Sequence, residues 1–166
     1  MTATEARPPH ARPRTASRVA AVQALFQAEQ REQSTETVMQ EFIRHRLGDP
    51  PGAGGFAEGR VPEAEVTLFA GILRAAGKES AAIDREILDA LPADWPLLRL
   101  DAVLRALLRA AVAELLAKDG PPARVVINEY LDVAHGFFSG DEPGLVNGVL
   151  NRIARRCRAA EFAAPR

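Results

Sequence analysis

Residues 96–118 read PLLRLDAVLRALLRAAVAELLAK, and this stretch decides the fold. Leu97, Leu100, Leu104, Leu107, Ala111 and Leu115 recur three to four residues apart, which puts them on one side of a helix. Val103, Leu108, Val112 and Leu116 widen the stripe until little of the circumference is polar. A helix of that kind belongs at the centre of a helical fold. The remaining polar row, Asp101, Arg105 and Arg109, has i,i+4 spacing with the acid first, an order that supports the helix. It is either a solvated seam or an opening onto a partner surface.

Toward the C-terminus, KDGPP at 118–122 stops this helix and restarts the chain. Val125, Val126, Tyr130, Val133 and Ala134 then predict a helix to about Gly136. A last helix starts near Pro143 and buries Leu145, Val146, Val149, Leu150 and Ile153. Arg152, Arg155, Arg156 and Arg158 close it, where positive charge also complements the helix dipole.

Toward the N-terminus, Pro62 suits the first turn of a helix that carries Val66, Phe69, Leu73, Ile83 and Ile87 as far as Leu91, with Gly77 a weak point and Pro92 the stop. The Pro/Gly-rich stretch 49–61, containing DPPGAGGFAEGR, reads as a surface loop, and its GAGG lacks the Lys-Ser/Thr of a phosphate cradle. Ser34 suits the N-cap of a helix with Val38, Phe42 and Leu47 inward and Gly48 as its stop. Before it, Val19, Val22, Leu25 and Phe26 mark a first helix from about Thr15 to Gln30, and the two helices pair antiparallel. Residues 1–14 carry Pro8, Pro9 and Pro13 and are expected as a flexible, extended arm; 161–166 are expected as a disordered tail. The expectation is one all-α domain over 15–160 with about six to seven helices.

At 166 residues the chain can hide roughly two-thirds of the surface its unfolded form exposes, enough for a core without staples. The single cysteine, Cys157, excludes an internal disulfide and a cysteine-cage zinc site, and a reducing cytoplasm is the default. No apolar run follows a basic start, and charges interrupt 97–116, so neither a secretory signal nor a membrane span is expected. The net charge of −1 is unevenly placed. Arg7, Arg12, Arg14 and Arg18 lie at one end and Arg152, Arg155, Arg156 and Arg158 at the other, with a neutral to acidic middle.

Chemistry is absent from the pattern. His10, His45 and His135 form no pair at ligand spacing, so no metal is expected. Cys157 has neighbouring arginines that would lower its pKa but no nearby histidine base. Glu79, Asp84, Glu86 and Asp89 spread around a helix surface with no apolar pocket to raise a pKa. Neither an enzyme nor a cofactor is indicated.

The arm RPPHARPRTASR, leading into AAVQALFQAEQ, offers arginine forks for phosphate on a segment able to follow an irregular strand. Phe26 either stacks on a base or completes the apolar face. RTASRVAAVQALFQAE resembles the opening of NusB-family proteins, and RALLRAAVAELL, VVINEYLDVAHGFF and GDEPGLVNGVLNRIAR resemble further blocks of that family in the same order. The resemblance covers roughly half the chain. It implies two small helical bundles packed together and a non-catalytic activity: binding boxA-type single-stranded RNA with the ribosomal protein NusE, joining other Nus factors on RNA polymerase, and suppressing termination in ribosomal RNA operons.

By that resemblance Arg12, Arg14, Arg18 and Phe26 match the family's RNA-binding start, and Asp141, Leu145 and Asn147 a second stretch beside the RNA. Arg109, Glu114, Asn128 and Glu129, with Arg105 from the polar row, either meet the protein partner or tie helices together. Leu145 stands where the family often has Phe and cannot stack as a ring does. A helical protein-interaction scaffold without RNA is the alternative. A NusB-like domain of a ribosomal RNA methyltransferase would require a further domain for the methyl donor.

Overall fold

The first helix, α1 (Arg12–Gln30), begins before the expected Thr15. Pro13 occupies its first turn, where a missing N–H removes no intrahelical bond. The computed structural model describes residues 12–47 and 65–163, so residues 1–11 of the expected arm and all of the 49–61 loop lie outside it. Along α1, Ala20, Ala21, Val22, Ala24, Leu25 and Ala28 are buried, and the alanines let neighbouring helices approach closely. The helix ends on two bonds, Gln33 N–H to Ala28 O at 2.9 Å and Glu32 N–H to Glu29 O at 3.3 Å, with Glu32 left-handed at φ 51°.

Helix α2 (Thr35–His45) starts as expected at Ser34, whose Oγ accepts from the Thr37 N–H at 3.1 Å. Its Val38, Met39 and Phe42 are buried, and Phe42 stacks on Phe69 with centroids 5.7 Å apart. The expected single helix over 62–91 is two: α3 (Val66–Lys78) and α4 (Ser80–Ala90), broken at Glu79. Gly77, the weak point, lies in the last turn of α3 directly against Thr35 at the start of α2. The break lets α3 pack on α1 and α2 while α4 packs on the following helices.

The stretch 96–118 also divides. A 3-10 turn, Leu97–Arg99, precedes α5 (Ala102–Leu116), and Asp101 is the N-cap rather than a member of the polar row. Its Oδ1 accepts from Val103 N–H at 2.8 Å and Leu104 N–H at 3.2 Å, satisfying two donors that a helix start otherwise leaves orphaned. From Leu104 to Leu115 every residue of α5 except Arg109 is buried. This is the central helix its composition demands: it touches α1, α3, α4, α6 and α7. Burying a leucine such as Leu107 or Leu108 contributes about 1.5–3 kcal/mol.

Helices α6 (Ala123–Phe137) and α7 (Glu142–Cys157) pack on each other and on α5 through Val126, Tyr130, Val133, Val146, Val149, Leu150 and Ile153. Seven α-helices and no strand occur among the described residues, arranged as α1–α3 against α4–α7. A 3-10 turn over Ala159–Phe162 follows α7, and residues 164–166 of the expected tail lie outside the described residues. Glu161 Oε1 accepts the Ala123 N–H at 3.0 Å, and Arg158 Nη1 donates to Glu161 at 2.9 Å.

Candidate nucleic-acid interface

The basic start of α1 divides into outward and inward residues. Arg12 opens the helix, and Arg14 is exposed with its Nε 3.3 Å from Glu65 Oε2. Arg18, one turn further, is 2% exposed because α5 and α6 close over it. Its Nε and Nη2 donate to the two oxygens of Glu114, both at 2.9 Å, and its Nη1 lies 3.6 Å from Glu129 Oε2. Burial works against this charge, but the Glu114 bonds and field outweigh it, so the Arg18 pKa stands above its ordinary value.

Tyr130 completes the cluster, its ring centroid 6.0 Å from the guanidinium carbon of Arg18. Full burial pushes its hydroxyl pKa well up, with the Glu114 charge adding. Thr15 Oγ1 donates to Glu129 at 3.2 Å. Arg18, Glu114 and Glu129 are thus brought together as a tie among α1, α5 and α6.

Arg105 and Arg109 form a second tie. Both reach Glu29 of α1, Arg105 through Nε at 2.8 and 3.0 Å and both through Nη contacts. Arg105 Nη1 also donates to Leu100 O at 2.8 Å. Arg109 forks onto Asp84 of α4, at 2.8 and 3.0 Å. The hydrogen bond from Arg105, then that from Arg109, overcomes burial and lowers the Glu29 pKa. Glu29 and Asp84 were not recognised as partners from sequence, since they lie 76 and 25 residues from the arginines they meet.

Arg109, Glu29 and Asp84 line a cleft of about 540 Å³ with apolar walls from Leu25, Ala28 and Ile83. Leu98 stands at it, 83% exposed. Asn128 is exposed on α6.

Asp141 precedes α7, is exposed, and caps nothing with its side chain. Leu145 is half-buried against the core, and Asn147 is exposed, its Oδ1 accepting from Asn151 Nδ2 at 2.8 Å. Asp141 borders a second cleft, about 530 Å³, with His135, Phe138 and Ser139 at the α6–α7 turn. Phe137 is exposed beside Phe138, the ring centroids 6.3 Å apart. Phe26 is half-buried against the core and does not line this cleft.

The C-terminal arginines also separate. Arg158 donates to Leu115 O at 2.8 Å and Ala117 O at 2.9 Å, satisfying carbonyls at the end of α5 rather than of its own helix. Arg156 pairs with Glu86, and Arg152 donates to Ala90 O at 3.0 Å. Arg155 and Arg124 both rest on the Phe162 ring, at 5.1 and 5.9 Å from its centroid. Burial pushes the Cys157 thiol pKa up, and the neighbouring arginines do not reverse it. No group of three or more His, Cys, Asp or Glu residues could hold a metal among the described residues, and no described helix is long and apolar enough to cross a membrane.

Residues 15–155 match the NusB family. A protein of Granulibacter bethesdensis named transcription antitermination protein NusB is 64% identical over 155 residues, spanning 93% of this chain and 95% of its own. A protein of the same name from Gluconobacter oxydans is 53% identical, over 89% of this chain and 90% of its own. The solved structure of T. maritima NusB aligns with a TM-score of 0.70 at 28% identity, covering 90% of this chain and 96% of that one. By family match, identity and fold together, the chain belongs to the NusB family.

Proposed function

We propose that this chain is a transcription antitermination factor that binds boxA-type single-stranded RNA together with the ribosomal protein NusE and joins the Nus complex on RNA polymerase. The observation that carries this reading is the 64% identity, over 93% of the chain, with a protein named for transcription antitermination. The activity is binding, without a catalytic step.

For the RNA, Arg12 and Arg14 at the head of α1 supply forks for phosphate, while Arg18 holds the helix from inside. The cleft at the α6–α7 turn, with Asp141, His135 and Phe138, has the mixture of rings and polar groups that takes an unstacked base. Leu145 and Asn147 lie one turn further along α7. For NusE, the cleft beside Leu98 combines apolar walls with a rim of paired charges, Arg109 with Glu29 and Asp84, a pattern suited to an apolar anchor. Arg105 and Arg109 act there by shaping the wall, Glu114 and Glu129 by tying α1 to α5 and α6, and the exposed Asn128 by offering a polar contact on α6.

The test is transcription by RNA polymerase, with the other Nus factors, on a template carrying boxA ahead of a terminator. Adding the protein with NusE should raise read-through severalfold, and a scrambled boxA should remove the gain. Read-through unchanged by the protein, or insensitive to boxA, would overturn the reading.

A further inference from the structure

The two basic ends of the sequence meet in space. Arg18, near the start of α1, grips the carboxylate of Glu114, while Arg158, at the end of α7, donates to the backbone oxygens of Leu115 and Ala117 one turn or less away. The head of α1, the start of α6 and the end of α7 therefore share the end of the molecule marked by the C-terminus of α5. The acidic middle of the chain does not separate them.

At that end Arg124 and Arg155 differ from the other arginines of α6 and α7. Arg156 has Glu86, Arg158 has Glu161, and Arg152 has a backbone carbonyl. Arg124 and Arg155 are exposed and have no carboxylate partner among the described residues. Both guanidinium groups instead lie on the face of Phe162. A cation–π contact engages the charge of a guanidinium and leaves N–H groups free to donate. Holding two such edges in place lowers the ordering cost of a ligand that needs both. Oxygen-rich anions with repeating charge fit that need, and fork geometry favours phosphate.

We propose that Arg124 and Arg155, held by Phe162, form a sequence-independent phosphate site that extends the RNA track beyond the boxA segment. The inference rests on the RNA-binding reading. Arg124 is five residues from Glu129, which Thr15 of α1 contacts, so about 7.5 Å of α6 separates Arg124 from the point where the head of α1 meets that helix.

The experiment compares a boxA RNA with the same RNA carrying a flanking single-stranded extension at either end, titrated against the protein with NusE over a range of salt. The proteins are the wild type, R124Q/R155Q and R124K/R155K, each checked by thermal unfolding. With the extended RNA, two phosphate contacts steepen the salt slope by about 1.4, so a fourfold rise in salt costs the wild type about sevenfold more affinity than it costs R124Q/R155Q. The short RNA should bind all three alike, and the lysine variant should keep most of the slope.

Equal affinity and slope of the wild type for short and extended RNA overturn this inference and leave the boxA reading standing. So does an extension effect that R124Q/R155Q retains. Failure of the wild type to bind either RNA overturns the RNA reading itself, and this site with it.

Discussion

Arg18 and Glu114 are 96 residues apart in the chain and share two hydrogen bonds inside it. A buried pair broken from one side leaves an uncompensated charge, which costs about 3–5 kcal/mol. Arg18→Gln should lower the unfolding free energy in urea by that amount, and Arg18→Met with Glu114→Leu should recover most of it. An Arg18→Gln protein of unchanged stability that no longer bound RNA would place Arg18 at the RNA instead. Glu29 makes a prediction in pH. Its folded pKa is depressed below 4.5 by the Arg105 bond and then the Arg109 bond. The stabilisation is therefore present above the unfolded value and lost as pH falls from about 4.5 through the folded pKa. Urea midpoints should drop over that window, and Glu29→Gln should flatten the drop; an identical slope in the variant would contradict the assignment. Residue types at these positions were legible in sequence, but their partners were not. Local spacing carries no information on a carboxylate 76 or 96 residues distant, so Arg18 reads as an RNA contact and the choice for Arg109 between partner contact and helix tie stays open in the sequence.

The elements were legible wherever apolar spacing and an end signal agreed. Ser34 starts α2, Pro92 follows the end of α4, and α5 is buried as its leucines and alanines require. Boundaries failed where a polar residue had two uses. Asp101 fits an i,i+4 row and an N-cap equally well by spacing, and the backbone donors of Val103 and Leu104 decide for the cap. The break at Glu79 carries no Gly or Pro of its own, and it arises from where α3 and α4 must pack. The end of α1 offers a test at this scale. Glu32 occupies the left-handed position of the closing turn, which favours glycine. Glu32→Gly should raise the unfolding free energy by about 0.5–1 kcal/mol, after the added freedom of glycine in the unfolded chain offsets part of the relieved strain. A loss of stability would show that the Glu32 side chain contributes more than its backbone costs.

In the whole molecule, α5 joins α1–α3 to α4–α7, and the two ionic ties fasten α1 along it from end to end: Arg18 to Glu114 at one end, Arg105 to Glu29 at the other. The helical class, the central helix and the family resemblance were legible in the sequence. The convergence of both basic ends was not, because only the antiparallel course of α1 along α5 brings it about. Withdrawing Arg18 from the RNA leaves Arg7, Arg12 and Arg14 at the N-terminal end, a salt slope of about −2.1 rather than the −2.8 of four contacts. RNA binding therefore becomes tight only with a partner. Fluorescence anisotropy of labelled boxA RNA, with and without NusE, tests this most directly, beside a variant with Arg12 and Arg14 changed to Glu. The expected result is weak binding by the protein alone, a large NusE-dependent gain that a scrambled RNA lacks, and loss of that gain in the variant with folding intact. Sequence-independent binding, or a variant that binds as the wild type does, would contradict it.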